Sequence, residues 1–326
     1  MRMVVPRFRF PFSWTLGSVA ALLPLSLIVI IAFLLHAAWP AIEFNGWGVL
    51  IHNSWNLGNM YADPITVRGI EVLPRANYGV LFLIVGTLLT SLIALVLALP
   101  IGIYAAIFLA EGLQGWPRTL GSFLVELLAA VPSVVYGLWG YVVLIPFLGK
   151  QAFPWLAHTL GVVLPIFRGP LGSGYGLLTA GILLALMVTP LITASLRDAI
   201  VATPTALREA GMSMGASRME VVRRIILPGQ KPLLFGVSIL ALGRALGETM
   251  AVLMVSGNAL NSLPGNIYDP VSTMASFIAS QLDSALQDPT GMAVHALAEV
   301  ALLLMLISVF VNASARGLLW LSGNRV

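Results

Sequence analysis

The chain has 326 residues, of which 59% are hydrophobic and 9% are charged, and its mean hydropathy is +0.95. About one quarter of the residues in a soluble domain are charged, so this composition excludes an ordinary soluble protein and indicates an integral membrane protein. The sequence has no cysteine and a net charge of +4. A disulfide framework, a thiolate metal site and a cysteine nucleophile are therefore excluded.

Six apolar runs are long enough to cross a bilayer, which takes about 20 helical residues. They predict an all-α polytopic membrane protein with transmembrane helices at roughly 15–38, 79–110, 120–148, 177–196, 232–256 and 293–315. The first run is longer than the apolar part of a secretory signal, and we interpret it as a retained anchor. The second is too long for one straight helix, so tilt, protrusion or a kink at Pro100 must accommodate it. Pro132 predicts a break in the third.

Lysine and arginine concentrate on one side of these spans, the side that holds both termini. The residues on this side are Arg2, Arg7, Arg9, Arg118, Arg197, Arg208, Arg218, Arg223, Arg224, Lys231, Arg316 and Arg325, against Arg68, Arg75, Lys150 and Arg168 on the other. Because basic residues mark the cytoplasmic ends of spans, both termini are predicted to be cytoplasmic. The positive net charge is thus a topology signal, and no nucleic-acid partner is expected.

Three segments on the outer side, at about 39–77, 149–176 and 257–292, are rich in Trp, Asn, Gly and Pro. We expect compact loops that cover this side of the protein. Within the second, the apolar stretch 160–167 is too short to span and predicts an interfacial or re-entrant piece. The scattered histidines have no metal-ligand spacing, so no metal site is predicted.

The inner loop between the fourth and fifth spans, 197–231, is predicted to form two short helices joined by a turn. Thr203 followed by Pro204 is typical of a helix start, with the hydroxyl as a cap and the proline where no donor is needed. Gly215 predicts the turn that follows the first helix.

The second helix of this loop is predicted to begin at a capping box formed by Ser217 and Glu220 and to end at Pro228. Methionine, an adaptable contact residue, occurs near the turn at positions 212, 214 and 219. The helix pattern alone fits a surface that a partner protein receives. It fits equally well an amphipathic connector that lies on lipid headgroups.

The residue spacing in this loop favours a partner. It resembles the EAA loop of ABC importer permeases, whose seven pattern positions fall at Glu209, Ala210, Gly211, Gly215, Ile225, Leu227 and Pro228. Six of the seven match. The exception is Gly211, where the family has a second alanine, and a glycine there should destabilise the helix by up to about 1 kcal/mol. The resemblance implies a type I ABC importer permease fold, in which Glu209, Gly215 and the residues between them couple the membrane helices to an ATP-hydrolysing subunit.

Longer segments are similar to one subfamily, the PstC-type permeases of bacterial phosphate-specific importers. They include GTLLTSLIALVLALPIGIYAAIFLAE at 86–111, VELLAAVPSVVYGLWG at 125–140 and GRALGETMAV at 243–252. This resemblance implies a multi-pass subunit of the bacterial cytoplasmic (inner) membrane that imports inorganic phosphate. It also implies a PstA-type permease subunit as heterodimer partner, two ATPase subunits and an extracytoplasmic phosphate-binding protein.

Under this interpretation the chain divides into an anchor helix with the first outer loop (1–76), an ABC permease transmembrane domain (77–320) and a tail (321–326). The chain should not hydrolyse ATP, because its Gly149-Lys150 pair lacks the flanking residues of a phosphate-binding loop. We expect no cofactor in this chain, since ATP and Mg would be used by the partner ATPase.

The fifth span is predicted to present two faces on one continuous helix. Gly236, Gly243 and Gly247 follow one face, with the small-residue spacing that lets helices pack closely. Arg244 and Glu248 lie about 100° away and face the same way as each other. A charge at mid-membrane costs about 2.5–3.5 kcal/mol, so this pair should face protein or water.

Two interpretations of this charged pair remain. Arg244 could assist a phosphate anion along the substrate pathway, since its planar guanidinium suits phosphate oxygens and no other cation is predicted within a span. Glu248 would then weaken the binding of phosphate to Arg244, so that the anion is released. The pair could instead be a buried ion pair that only fixes helix packing. Glu126 in the third span is a secondary candidate that could also pair with a neighbouring helix or be solvated. Glu299 and His295 are expected to bond to each other.

Other functions compete with phosphate import. An ABC permease for another oxyanion or small polar solute fits the EAA loop as well, because that loop indicates coupling to an ATPase and does not identify the substrate. A passive membrane channel would have no need of a loop that docks on an ATPase. An intramembrane enzyme would need a nucleophile with a base, or a metal set, at matched depth, and the sequence shows neither.

Overall fold

The computed structural model describes residues 11–321, with side chains described for residues 15–317. Arg2, Arg7, Arg9 and Arg325, which contribute to the topology prediction, lie outside the described residues, as do residues 322–326 of the predicted tail. Within the described chain, every long element is a helix, which confirms the all-α prediction.

The helices follow one another along the chain with short connections, except for the two long outer loops. Their bounds are α1 Pro11–Asn45, α2 Gly48–Ile51, α3 Leu81–Ile107, α4 Trp116–Ala130, α5 Ser133–Val162, α6 Leu177–Val201, α7 Thr205–Ser213, α8 Arg218–Gly229, α9 Lys231–Leu246, α10 Met250–Val255, α11 Met274–Leu286 and α12 Met292–Leu321. A π turn at Phe108–Gly112 extends α3.

Four of the six predicted spans form continuous helices, namely α1, α3, α6 and α12. The third is interrupted at Val131 and Pro132, as the proline predicted. The fifth was predicted as one helix over 232–256, and this is wrong, because α9 ends at Leu246 and only the short α10 follows. Before it, α8 and α9 are bent by 66° relative to each other.

The packing of α3 against α6 forms the centre of the bundle. Gly102 of α3 faces Ile192 of α6, where an added Cβ would lie 2.8 Å from the isoleucine Cγ2. Gly181 of α6 faces Ile93 of α3 even more closely. The apolar stretch of α6 is 72% buried, against 28% for α3. Since lipid is as apolar as these side chains, close van der Waals contact holds the two helices together, and glycine permits that contact.

Polar groups attach the first span to the last. The Asn45 Nδ2 donates to Glu299 at 2.7 Å, and the His295 Nδ1 lies 2.6 Å from the Ala37 carbonyl oxygen. The expected bond between Glu299 and His295 is therefore wrong, since each reaches across to α1. Both bonds lie in a buried setting, where an unpaired polar group is costly, so they fix α1 on α12.

The outer loops form a compact cap, as predicted, but with strands that the sequence did not reveal. Strands β1 (Trp55–Asn56) and β4 (Asn77–Tyr78) pair antiparallel, and so do β2 (Ile65–Val67) and β3 (Ile70–Val72). The ring of Trp55 packs edge-on against Tyr78 and Phe277, with centroids 5.0 and 4.9 Å apart. The Asn261 Nδ2 donates to the Trp55 carbonyl at 3.1 Å and joins the third outer loop to the first.

The short apolar stretch on the outer side does not cross the bundle. It consists of the 3₁₀ turn Leu160–Val162 at the end of α5 and a second turn at Pro165–Phe167. Val162 and Val163 are 68% and 76% exposed. These exposed apolar side chains agree with the prediction of an interfacial piece.

The α3–α6 contact gives the first testable prediction. Gly181→Ala should destabilise the protein by about 1–3 kcal/mol, because the new methyl group overlaps Ile93 and the helices must separate. Gly17→Ala in α1, where a Cβ meets no atom within 4 Å, is the matched control. Thermal unfolding of the two purified variants in detergent measures the difference, and equal Tm values would show that this contact does not limit stability.

Candidate functional site

The inner loop folds into the predicted helix-turn-helix. The turn lies at Gly215, whose φ of +85° is in the left-handed region that favours glycine. The Gly215 amide donates to the Met212 carbonyl at 2.9 Å, and the Ala216 amide donates to the Gly211 carbonyl at 3.3 Å. These bonds satisfy the carbonyls that end α7, so α8 starts in a defined direction.

The predicted capping box at the start of α8 is confirmed. The Ser217 amide and hydroxyl donate to the Glu220 carboxylate at 3.0 and 2.9 Å, and the Glu220 amide donates back to the Ser217 hydroxyl at 3.4 Å. The Ser217 amide and hydroxyl, together with nearby Arg224, hold the pKa of Glu220 below its usual range. The first turn of α8 is therefore fixed by its own residues.

One detail of this loop differs from the prediction. The Thr203 hydroxyl does not cap α7 but donates back to the Ala199 carbonyl at 3.1 Å. Pro228 is the penultimate residue of α8, which ends at Gly229, so this helix ends within one residue of the predicted position. The change of direction follows at Gln230.

Gly211, where the loop departs from the family pattern, lies at the contact between α7 and α8. It is buried, and an added Cβ would lie 2.8 Å from Val221 and 2.9 Å from Ile225. The space that an alanine methyl group would occupy at position 211 is thus filled by side chains of α8. The helix continues past Gly211 to Ser213, so the glycine does not end it.

An ion pair joins this loop to the end of α3. The Arg208 Nη1 contacts the Glu111 carboxylate, and the Arg208 Nη2 donates to the Ile200 carbonyl. Both side chains of the pair are mostly buried, with 21% and 14% exposed. Removing one partner of such a pair leaves the other charge buried without compensation. The pair and the bond to Ile200 therefore attach α7 to the ends of α3 and α6.

The far side of the helix-turn-helix is open. Glu209 and Ala210 are exposed, as are three methionines around the turn, of which Met214 is 90% exposed. Ile225 and Leu227 are half-buried and Pro228 is exposed. A flexible methionine surface can adapt to a groove on another protein, which fits the predicted coupling site.

The break in the third span is closed by a side chain. The Tyr136 hydroxyl donates to the Leu128 carbonyl at 2.9 Å, across the interruption at Val131 and Pro132. The Leu128 carbonyl also accepts from the Val131 amide at 3.3 Å, so the tyrosine adds a second donor and ties α5 to the end of α4. A cavity of about 370 Å³ lies beside it, lined by apolar side chains including Val135 and Trp139, and its lining does not suit an anion.

The break in the fifth span separates Arg244 from Glu248. Arg244 lies in the last turn of α9, where a cation is favoured by the helix dipole, whereas Glu248 lies outside the helix. The Glu248 carboxylate accepts a bond from the Ala251 amide at 3.3 Å. No ion pair within 4.0 Å joins Arg244 to Glu248. The predicted common face on one helix is therefore wrong.

The helices that follow the two breaks pack closely on each other. Gly137 of α5 lies against α10, where an added Cβ would be 3.0 Å from the Ala251 Cα and 2.8 Å from the Met254 Sδ. This contact brings the two breaks near one another. The side chain of Arg244, at the end of α9, is exposed in this chain.

The three glycines predicted to form a packing face of the fifth span do not make close contacts within this chain. A Cβ at Gly236 would meet no atom within 4 Å, and one at Gly243 would be 3.7 Å from the Asn312 Nδ2. A Cβ at Gly247 would meet only the Gly243 carbonyl, at 3.7 Å. If these glycines mediate close packing, their partner is another chain.

Glu126 forms an ion pair with Arg197 of α6 at 2.9 Å, and Arg197 also contacts Asp198 at 2.7 Å. The side chain of Arg197 is only 8% exposed, and its Nη1 has no hydrogen-bond partner. The helix α6 continues past Arg197 to Val201, so this arginine lies in the last turns of the helix that carries the fourth span. The pairing of Glu126 with a neighbouring helix, one of the two alternatives predicted for it, is confirmed.

A family model described as "Binding-protein-dependent transport system inner membrane component" matches residues 98–319. The match includes the whole helix-turn-helix and both broken spans. The chain therefore belongs to this family of transport permeases, and the predicted ABC permease fold agrees with it. Six spans were predicted, and the described chain has five helices long and apolar enough to span, or six if α8 and α9 form one bent span.

Within the family, the relatives that match nearly the whole chain are PstC proteins. The sequence is 42% identical over 306 residues to "Phosphate transport system permease protein PstC 1" of Mycobacterium tuberculosis, covering 93% of this chain and 90% of the relative. It is 36% identical over 295 residues to "Phosphate transport system permease protein PstC" of Pasteurella multocida, covering 90% and 85%. The chain thus falls in the PstC group of these permeases.

Solved structures are more distant. The MetNI methionine ABC transporter in an inward-facing conformation is similar with a TM-score of 0.43 and 19% identity, covering 73% of this chain and 94% of that one. A bacterial ABC transporter for alginate import is similar with a TM-score of 0.48 and 18% identity, covering 71% and 77%.

The turn of the helix-turn-helix gives the second prediction. Gly215→Val should destabilise the loop by about 1–3 kcal/mol, because a β-branched residue is strained at positive φ, although space for its side chain is free. Gly215→Asn is the control, since asparagine tolerates this conformation. Amide hydrogen exchange over residues 205–229 should be faster in the valine variant alone. Equal exchange in all three proteins would show that the turn does not hold the loop.

Proposed function

We propose that this chain is the permease subunit of an ATP-driven importer that moves inorganic phosphate into the bacterial cell by alternating access. The observation that carries the proposal is the 42% identity, over 93% of the chain, to a phosphate transport system permease. The helix-turn-helix with its exposed methionine surface supports an ATP-driven mechanism over a passive channel, since a channel has no need of a docking lever.

In this function the loop over 197–231 faces the cytoplasm and docks on an ATPase subunit. The ion pair between Arg208 and Glu111 carries the movement of the loop to α3, and the close contact of α3 with α6 spreads it through the bundle. The ATPase supplies the hydrolysis site, with its ATP and Mg, and this chain transmits the movement of the ATPase to the membrane helices. Two such subunits act on this chain and a PstA-type partner.

The substrate pathway passes along the face of this chain that carries Arg244. A guanidinium that is exposed in the isolated chain and located within a span must face protein or water in the assembled transporter. The open glycines at 236, 243 and 247 lie on the same broken span and let the PstA-type subunit approach closely. Phosphate delivered by an extracytoplasmic binding protein would then meet Arg244 between the two subunits.

Glu248 has a different role from the one first expected. It does not neutralise Arg244 directly but holds the start of α10 through the Ala251 amide. It positions the non-helical segment beside Arg244, and the carboxylate repels an anion that would otherwise stay bound. Arg244 can therefore contact phosphate without trapping it.

The third prediction concerns transport itself. When the chain is purified with its co-encoded subunits and reconstituted in liposomes, ATP hydrolysis and uptake should both depend on phosphate and on its binding protein. Sulfate and other oxyanions with their own binding proteins should not replace it. Stimulation by another oxyanion in place of phosphate would support the competing permease interpretation, and uptake without ATP would support a channel.

The fourth prediction tests the pathway residue. Arg244→Ala should lower phosphate uptake by roughly tenfold to a hundredfold, the loss expected for one hydrogen-bonded charge, about 1.5–3 kcal/mol. Arg244→Lys should retain part of the activity, because it keeps the charge but loses the fork. Assembly of the complex and stimulated ATP hydrolysis serve as controls. Normal uptake by an assembled Arg244→Ala transporter would exclude the pathway role.

A further inference from the structure

A polar cavity lies at the end of the bundle that carries the helix-turn-helix. It has a volume of about 360 Å³. Its lining comes from the end of α3, the start of α4, the end of α6 and both helices of the loop. The charged and hydroxyl side chains that line it are Glu111, Arg118, Thr203, Thr205, Arg208 and Arg218.

The charges of this cavity are unbalanced. Arg208 and Glu111 neutralise each other in their ion pair. Arg118 and Arg218 form no ion pair and no hydrogen bond with the rest of the described chain. Three arginines line this cavity, and only Arg208 has an acidic partner. The guanidinium groups of Arg118 and Arg218 are left without one, and like charges repel one another. An anion in the cavity would remove that repulsion.

We infer that this cavity binds a phosphate group through the guanidinium groups of Arg118 and Arg218. Arginine presents parallel N–H donors that match phosphate oxygens in a bidentate arrangement. The cavity is large enough to hold a phosphate group together with bridging water. This site is separate from Arg244, which lies in the broken fifth span.

Two sources could supply this phosphate group. One is inorganic phosphate in the cytoplasm, the product side of the proposed transport. The other is the headgroup of an anionic phospholipid, since the exposed Trp116 (75% exposed) beside Arg118 marks the membrane interface. In both cases the bound group would join α4 to the helix-turn-helix. It would therefore hold the loop against the bundle.

The test uses the full-length chain without ATP, ATPase or binding protein, in nanodiscs of phosphatidylcholine. In one arm inorganic phosphate is added, with sodium chloride of equal ionic strength as reference. In the other arm part of the phosphatidylcholine is replaced by phosphatidylglycerol. The readout in each arm is the shift in Tm, titrated to give an apparent Kd for phosphate or a dependence on lipid fraction.

We expect at least one arm to raise the Tm of the unaltered chain. Arg118→Gln and Arg218→Gln should each weaken that response by roughly tenfold or more, as the loss of a charge-assisted bond requires. Arg316→Gln, which removes an equal charge from an exposed position on α12, should respond as the unaltered chain does. A response to phosphate alone identifies the free anion, and a response to phosphatidylglycerol alone identifies the lipid.

Two results would overturn the inference. One is the absence of any Tm shift in both arms. The other is a shift that Arg118→Gln and Arg218→Gln retain in full. Arg244→Ala separates this site from the proposed pathway, because it should keep the shift while losing uptake. A failure here would thus leave the transport proposal unaffected, and a failure of transport would leave this site unaffected.

Discussion

The close contact between α3 and α6 is the interaction on which the rest of the structure depends. Membrane helices gain little from leaving lipid, so their association relies on van der Waals contact at short range. Gly102 and Gly181 provide that contact reciprocally, each accepting an isoleucine of the other helix. The helices α4 and α9 pack against this pair, and Arg208 attaches the helix-turn-helix to the end of α3. In the proposed function, movement of the loop would reach the membrane through this packed pair of helices.

Interrupted helices are expensive in a membrane, because their free backbone groups cannot turn to water. In the fifth span the Glu248 carboxylate accepts from the Ala251 amide at the start of α10. In the third span the Tyr136 hydroxyl donates across the break to the Leu128 carbonyl, beside the bond from the Val131 amide. The helices beyond the breaks then pack on each other through Gly137. The two breaks consequently form one feature of the fold, and Arg244 is presented beside it. On a continuous helix Glu248 would lie one turn after Arg244, where the two side chains can form an ion pair.

The helix-turn-helix was predictable in detail because its determinants are local. The left-handed turn at Gly215 and the capping box of Ser217 and Glu220 depend on residues within one or two turns of the chain. The one error in the same loop is also local in origin. The Thr203 hydroxyl bonds to the Ala199 carbonyl, four residues earlier in the chain, and does not cap α7. A threonine before a proline allows both local structures, and the residue pattern does not decide between them.

The sequence by itself determined the membrane class, the number of apolar spans, the coupling loop and the family, because these depend on composition and on short-range spacing. Only the tertiary structure decided the partners of the charged side chains. It paired Glu126 with Arg197 and Arg208 with Glu111, gave Glu299 a hydrogen bond from Asn45, and separated Arg244 from Glu248. Such pairs join residues far apart in the chain. Their geometry depends on where helices bend and how closely glycines let them approach, which periodicity along one segment does not encode.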